Sequence, residues 1–133
     1  MSNRRSGIPY EDEGLDGRGR VRECIFCRIA AGEAKAEVVA EDDEFLAFRD
    51  SRPKAPVHLL AVPRRHVASL AEVEELEPDA AGRMLHFVAQ AARAAGVEDS
   101  GYRVISNSGA DAGQEVAHLH WHIIGGRRLG SMA

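Results

Sequence analysis

The chain lacks any run of about 18 consecutive apolar residues, and its N-terminus has no apolar h-region, so neither a membrane span nor a secretion signal is expected. It has no P-loop and no carboxylate cluster dedicated to Mg²⁺, which excludes the usual phosphate-handling apparatus of the P-loop enzymes. Positive charge is scarce: 17 Lys and Arg against 21 Asp and Glu leave a formal charge of −4. The basic residues are not concentrated, and nucleic acid is not an expected partner. Cysteine is limited to Cys24 and Cys27, three positions apart. A disulfide is not expected in a reducing cytoplasm, the location this composition suggests. The pair can be a redox couple, half of a metal site, or two small apolar residues, and the spacing alone does not choose. With 133 residues the chain is long enough for one core and short for two.

Residues 1–22 are built differently from the rest. Five Arg and four acidic residues are interspersed with Gly7, Gly14, Gly17 and Gly19, and the larger apolar groups Ile8, Tyr10, Leu15 and Val21 follow no period. Such a segment buries too little surface to offset its ordering entropy and is expected as a flexible extension before a single domain over 23–133.

Periodicity gives a coarse map of that domain. Residues 24–31 read as a short helix ended by Gly32, and 37–41, 45–49 and 57–63 as strands separated by turns at Asp42-Asp43 and Pro53–Pro56. Ser69 with Glu72 forms a capping-box pattern for another short helix. The long helix spans about Pro78 to Ala95, with Ala81, Met84, Leu85, Val88, Ala91, Ala92 and Ala95 as its apolar stripe and Gly96 as its stop. Residues 102–106 and 118–124 complete five strands, an α+β fold with a five-stranded antiparallel meander and the long helix on one face.

The most informative segment is His118-Leu119-His120-Trp121-His122-Ile123-Ile124. Side chains alternate across a strand, so the three histidines share one face and Leu119, Trp121 and Ile123 the other. Three imidazoles on one face can ligate a metal, supply a nucleophile with proton-handling neighbours, or rest as hydrogen-bonded core groups. The polar stretch from Asn107 to Glu115, with Gly109 and Gly113, can be an ordinary loop or an anion-binding nest of backbone amides. His58 reads on composition as a partly buried core histidine, and His86 lies off the helix stripe with no assigned role.

The run Gly113-Gln114-Glu115-Val116-Ala117-His118-Leu119-His120-Trp121-His122-Ile123-Ile124 resembles the signature of the histidine triad superfamily, and Gly125-Gly126-Arg127 resembles its Hint branch. Cys24–Ile29, Glu41–Asp43, Leu46–Asp50, Ala55–His58, Val62–His66 and Asn107 fall in the same family order, so the likeness runs from about Cys24 to Gly126.

The resemblance implies a nucleoside phosphoramidase that cleaves the P–N bond of purine nucleoside 5′-phosphoramidates. His120 would be the nucleophile, His122 a donor to phosphate, and His118 and His58 further members of the catalytic group. Asp50 would take the ribose hydroxyls, Ile25, Phe26, Ile29, Phe48 and Leu60 the purine, and Asn107 the ribose-phosphate. Gly113, Gln114, Glu115 and Val116 would surround the phosphate. Zinc-binding members of the superfamily imply Cys24, Cys27, His66 and His118 as a structural Zn²⁺ site, remote from the chemistry. A homodimer is implied, joined through the long helix and the fourth strand so that five strands become ten. Arg49 and Glu115 depart from the His and Ser common in eukaryotic members. A dinucleoside polyphosphate hydrolase or nucleotidyl transferase, against which Gly125-Gly126-Arg127 argues, and a non-catalytic nucleotide-binding regulator are the alternatives.

Overall fold

The structure, a computed structural model, describes residues 23–132. The extension expected over residues 1–22 lies outside the described residues. Helix α1 (Ile25–Ala30) leads into strands β1 (Val38–Glu41), β2 (Phe45–Arg49) and β3 (Val57–Pro63). A 3₁₀ turn (Leu70–Glu75), helix α2 (Pro78–Ala94), β4 (Tyr102–Ile105), a second 3₁₀ turn (Ala110–Ala112) and β5 (Trp121–Gly125) follow. The sheet is antiparallel throughout, in the order β1-β2-β3-β5-β4. The meander runs through β1 to β3. Helix α2 then carries the chain across the sheet to the far edge, and β5 returns between β3 and β4. Among the described residues no helix is long and apolar enough to cross a membrane.

Alternation divides the core in two. Phe45, Ala47, Leu59, Ala61 and Ile123 point to one face and pack against Ala80, Met84, Phe87, Val88, Ala91 and Ala92 of α2. Leu46, Phe48, Leu60 and Val62 point to the other face, where Phe26 of α1 closes over them. Burial of Leu59 and Ile123, each at 0% exposure, contributes about 2 kcal/mol apiece. On the α1 face the register aligns Phe48, Leu60, His122 and Ile105 in one row across β2, β3, β5 and β4. A histidine therefore replaces an apolar residue in the middle of that face.

Two expectations are corrected. The stripe of α2 is rotated: Leu85 is 56% exposed and Ala81 only half-buried, whereas Ala80 and Phe87 take the core positions. The Phe87 ring packs 5.5 Å from that of Phe45 and fixes the rotation. The last strand begins at Trp121, not His118. Its ladder with β3 starts at Ala61 opposite Trp121, and its ladder with β4 at Ile105 opposite His122. Upstream, the Leu119 amide donates to the Val67 carbonyl (2.6 Å), outside the sheet. Ser69 does cap its turn, its hydroxyl donating to Glu72 and accepting from the Ala71 amide.

Candidate active site

His120 is 6% exposed, on the α1 face just before β5. Its Nδ1–H donates to the main-chain oxygen of His118 (2.7 Å), which places the proton on Nδ1 and leaves the lone pair on Nε2. Burial lowers its pKa, against the opposing influence of that carbonyl, of Asp50 and of Cys24. This favours the neutral imidazole. The Phe26 ring stands edge-on to it at 5.1 Å.

His122 carries the opposite tautomer. The Lys54 amide donates to His58 Nδ1 (3.0 Å), so the proton of neutral His58 sits on Nε2. That Nε2 lies 2.9 Å from His122 Nδ1 and donates to it, which puts the His122 proton on Nε2. Burial pushes the His122 pKa down to about 4, reinforced by His120 and His58. With ring centroids 5.1 Å apart, His120 offers a lone pair and His122 an N–H side by side.

Asp50 lies beside this pair, its Oδ2 3.3 Å from His58 Nε2 and its Oδ1 accepting the Arg52 amide (2.8 Å). Asp50, His58 and His122 are close enough to hold a cation, but the tautomers oppose it. A metal on His58 Nε2 would force the ring proton onto Nδ1, against the Lys54 N–H. Phe26, Phe48 and Leu60 form an apolar floor with Leu46 and Val62, and Ile29 and Val116 pack at its margin. Ile25 does not join them and is 41% exposed on α1.

In the polar loop, Gly113 adopts φ +79° and closes the 3₁₀ turn. The amides of Gly113 and Gln114 donate within the loop, to Ala110 and Gly109. Among the described residues, those of Glu115, Val116 and Ala117 have no acceptor. Gln114 uses its side chain to tie the loop down, donating to the Ala68 and Val116 carbonyls and accepting from the Gly109 amide. Glu115 is exposed, and Asn107 is half-buried without a hydrogen bond to the triad.

His118, fully buried, faces another way. Its Nε2–H donates to the Pro63 carbonyl (2.8 Å), and its Nδ1 lies 3.3 Å from Cys24 Sγ and 3.5 Å from Cys27 Sγ. His66 Nδ1 lies 3.4 Å from Cys27 Sγ. These ligand atoms all lie within 4.8 Å of one another. A tetrahedral Zn²⁺ with ordinary bond lengths needs S···N edges of about 3.6 Å, so the donor set, its spacing and the tautomer of His118 fit that ion. Hydrogen bonding to Cys27, His118 and His66 holds the Cys24 thiol far below its ordinary pKa, against the effect of burial.

The HIT domain family model matches residues 31–129. The chain belongs to the HIT family. Protein HitA of Neisseria gonorrhoeae is 45% identical over 102 residues, covering 77% of this chain and 94% of that protein. The purine nucleoside phosphoramidase of Escherichia coli strain K12 is 40% identical over 110 residues, with 83% and 92% coverage. Among solved structures, a histidine triad protein from Clostridium difficile superposes with TM-score 0.79 at 43% identity, over 84% of this chain and 97% of that one. A HIT family hydrolase from Legionella pneumophila Philadelphia 1 gives 0.76 at 43%, over 80% and 96%.

In this HIT protein the ring of His118, expected from the sequence among the catalytic side chains, is turned to the thiols, and only its carbonyl reaches His120. The Cys/His cluster, expected to be remote from the chemistry, is joined to His120 through the main-chain oxygen of His118. Not foreseen from the sequence are Ser106, whose hydroxyl donates to the His120 carbonyl (2.8 Å), and the Lys54 amide and Pro63 carbonyl that set two tautomers. Only Ser106 carried a signal, a hydroxyl directly after β4 and close to the triad. A cleft of about 520 Å³ lined by Phe45, Pro63, Arg64, Leu76 and Ala80 contains none of the triad.

Proposed function

We propose that this protein is a hydrolase that cleaves the P–N bond of purine nucleoside 5′-phosphoramidates through a nucleotidyl intermediate on His120. The observation that carries the reading is the opposed pair of tautomers, a buried His120 Nε2 lone pair beside a His122 Nε2–H. His120 Nε2 attacks the α-phosphorus, the P–N bond breaks, and the amine leaves with a proton taken from solvent while phosphorus is held on nitrogen. Water then attacks phosphorus and gives up a proton to solvent, the P–Nε2 bond breaks, and nucleoside monophosphate departs. Dividing the displacement replaces one high barrier with two lower ones. His122 Nε2–H and the amides of residues 115–117 offer donors to the phosphoryl oxygens, where charge accumulates.

Phe26, Phe48 and Leu60 give the purine an apolar bed, and Asp50 retains lone pairs for the ribose hydroxyls. The name of the Escherichia coli relative supports both the bond cleaved and the base. Zn²⁺ bound by Cys24, Cys27, His66 and His118 would supply a cross-link between α1 and the two chain segments beside the triad. All four positions are then occupied by protein, leaving none for substrate. The thiolates this needs suit a reducing cytoplasm. The exposed Tyr102 and Val104 of edge strand β4 and the exposed Leu85 of α2 support a homodimer.

The deciding assay measures turnover of an adenosine 5′-phosphoramidate and a diadenosine polyphosphate side by side, with His120→Ala as control. Faster, His120-dependent cleavage of the phosphoramidate is expected. Preference for the polyphosphate moves the protein to the other branches, and nucleotide affinity with negligible turnover makes it a regulator.

A further inference from the structure

His118 serves two places at once. Its ring is held at Nε2 by the Pro63 carbonyl and presents Nδ1 to both thiols, while its main-chain oxygen holds His120 Nδ1. The peptide plane that carries this oxygen also carries the Leu119 amide, which donates to the carbonyl of Val67, the neighbour of His66. One amide plane, spanning His118 and Leu119, is thus suspended between the two segments that bear the cluster's histidines. Phe26 lies between the two cysteines in sequence and sets its ring 5.1 Å from His120 and 5.8 Å from His118.

We propose that His118 is a positioning residue that couples metal occupancy to the nucleophile, so that losing the metal slows the chemical step more than it weakens nucleotide binding. The inference rests on the metal reading given above. Without the ion, Nδ1 of His118 and Nδ1 of His66 keep contacts of 3.3 to 3.5 Å to sulfur and the two rings stand edge to face at 5.0 Å, but no coordinate bond ties residue 66 to residue 118. The amide plane is then anchored by hydrogen bonds alone, and the lone pair of His120 loses a fixed aim. Phe48 and Leu60 of the purine bed stand on β2 and β3, Asp50 directly follows β2, and their ladders do not include the cluster; Phe26 alone of the bed sits between the two cysteines on α1. Loosening the groups that orient a reacting side chain, or misplacing it by about 1 Å, costs roughly 10- to 100-fold in rate.

The test uses the full chain as purified, after chelation, and after Zn²⁺ is restored, with metal content and thermal melting followed throughout. Steady-state rates give kcat, calorimetry gives the dissociation constant for adenosine monophosphate, and ¹⁵N-histidine spectra report the His120 Nδ1 proton. Chelation is expected to lower kcat by about tenfold or more, change the dissociation constant by a smaller factor, and broaden the Nδ1 proton signal, all reversed by Zn²⁺. Metal that binds while kcat is unchanged, or a change wholly in the dissociation constant, overturns the coupling and leaves the metal site standing. Absence of any metal binding overturns both. Should the chelated chain unfold, His66→Gln at low and saturating Zn²⁺ gives the same comparison. A kcat restored by the ion supports the coupling, and one indifferent to it overturns it.

Discussion

Nε2 of His58 lies 2.9 Å from Nδ1 of His122, and this contact decides what both rings do. A neutral His58 must donate, because its other nitrogen already accepts from Lys54. A protonated His122 has no lone pair to receive that bond, so the two rings stay together only when His122 is neutral. Their pKa values are lowered accordingly, His58 chiefly by burial and His122 to about 4 by burial and by its histidine neighbours.

A pH dependence of stability follows. The unfolded chain takes up the His122 proton near pH 6.5, the folded chain only nearer pH 4, and the His58 pKa is lowered in the same direction, so the unfolded state binds more protons in between. Stability should be full above about pH 7 and fall as pH drops from 6.5 towards 4. Thermal melts across this range check it, and in His122→Asn the fall should be shallower. An equal slope in the variant would place the titration elsewhere.

Much of this face is legible in the sequence. Alternation alone puts His120 and His122 together and Leu119 and Ile123 opposite, because a side chain's face depends only on its own strand. It does not reveal where β5 begins, since that depends on where β3 and β4 run out. A helical stripe is similarly legible to within one position, and the Phe45–Phe87 contact, invisible locally, chooses Phe87 over Leu85. The tautomers are set by main-chain groups of Lys54, Pro63 and His118, and a main-chain donor or acceptor leaves no mark in residue type. The link from Cys24 to His118 spans 94 positions and becomes readable only through the family likeness.

Strand β4 ends the sheet with Val104 opposite Ile123, so Val104 and Tyr102 lie on the α2 side, each 37% exposed. An unprotected edge with apolar side chains is a template for pairing. Sedimentation at micromolar concentration is expected to give twice the mass of the 14.4 kDa chain. Val104→Lys should shift the protein toward monomer by placing two like charges near the axis. A clean monomer in the unaltered protein would sink the dimer.

The identity of the nucleophile is the sharpest prediction. In His120→Ala Phe48, Leu60 and Asp50 are untouched and only Phe26 of the purine bed loses a neighbour, so the variant should fold and bind adenosine monophosphate nearly as well as the unaltered protein. Turnover should fall by about three orders of magnitude or more, because the residual routes lack the covalent intermediate. His122→Ala should fall less, since it removes one donor to phosphate and leaves the lone pair in place; about 10²- to 10³-fold is the usual scale for such a donor. Phosphorus on a histidine nitrogen is acid-labile and base-stable, which makes the intermediate recognisable. Rapid quenching in base during turnover of radiolabelled substrate should leave label on the peptide that contains His120, and none in the alanine variant. Label on Glu115 or His58, or a near-normal rate without His120, would transfer the nucleophile's role to another residue.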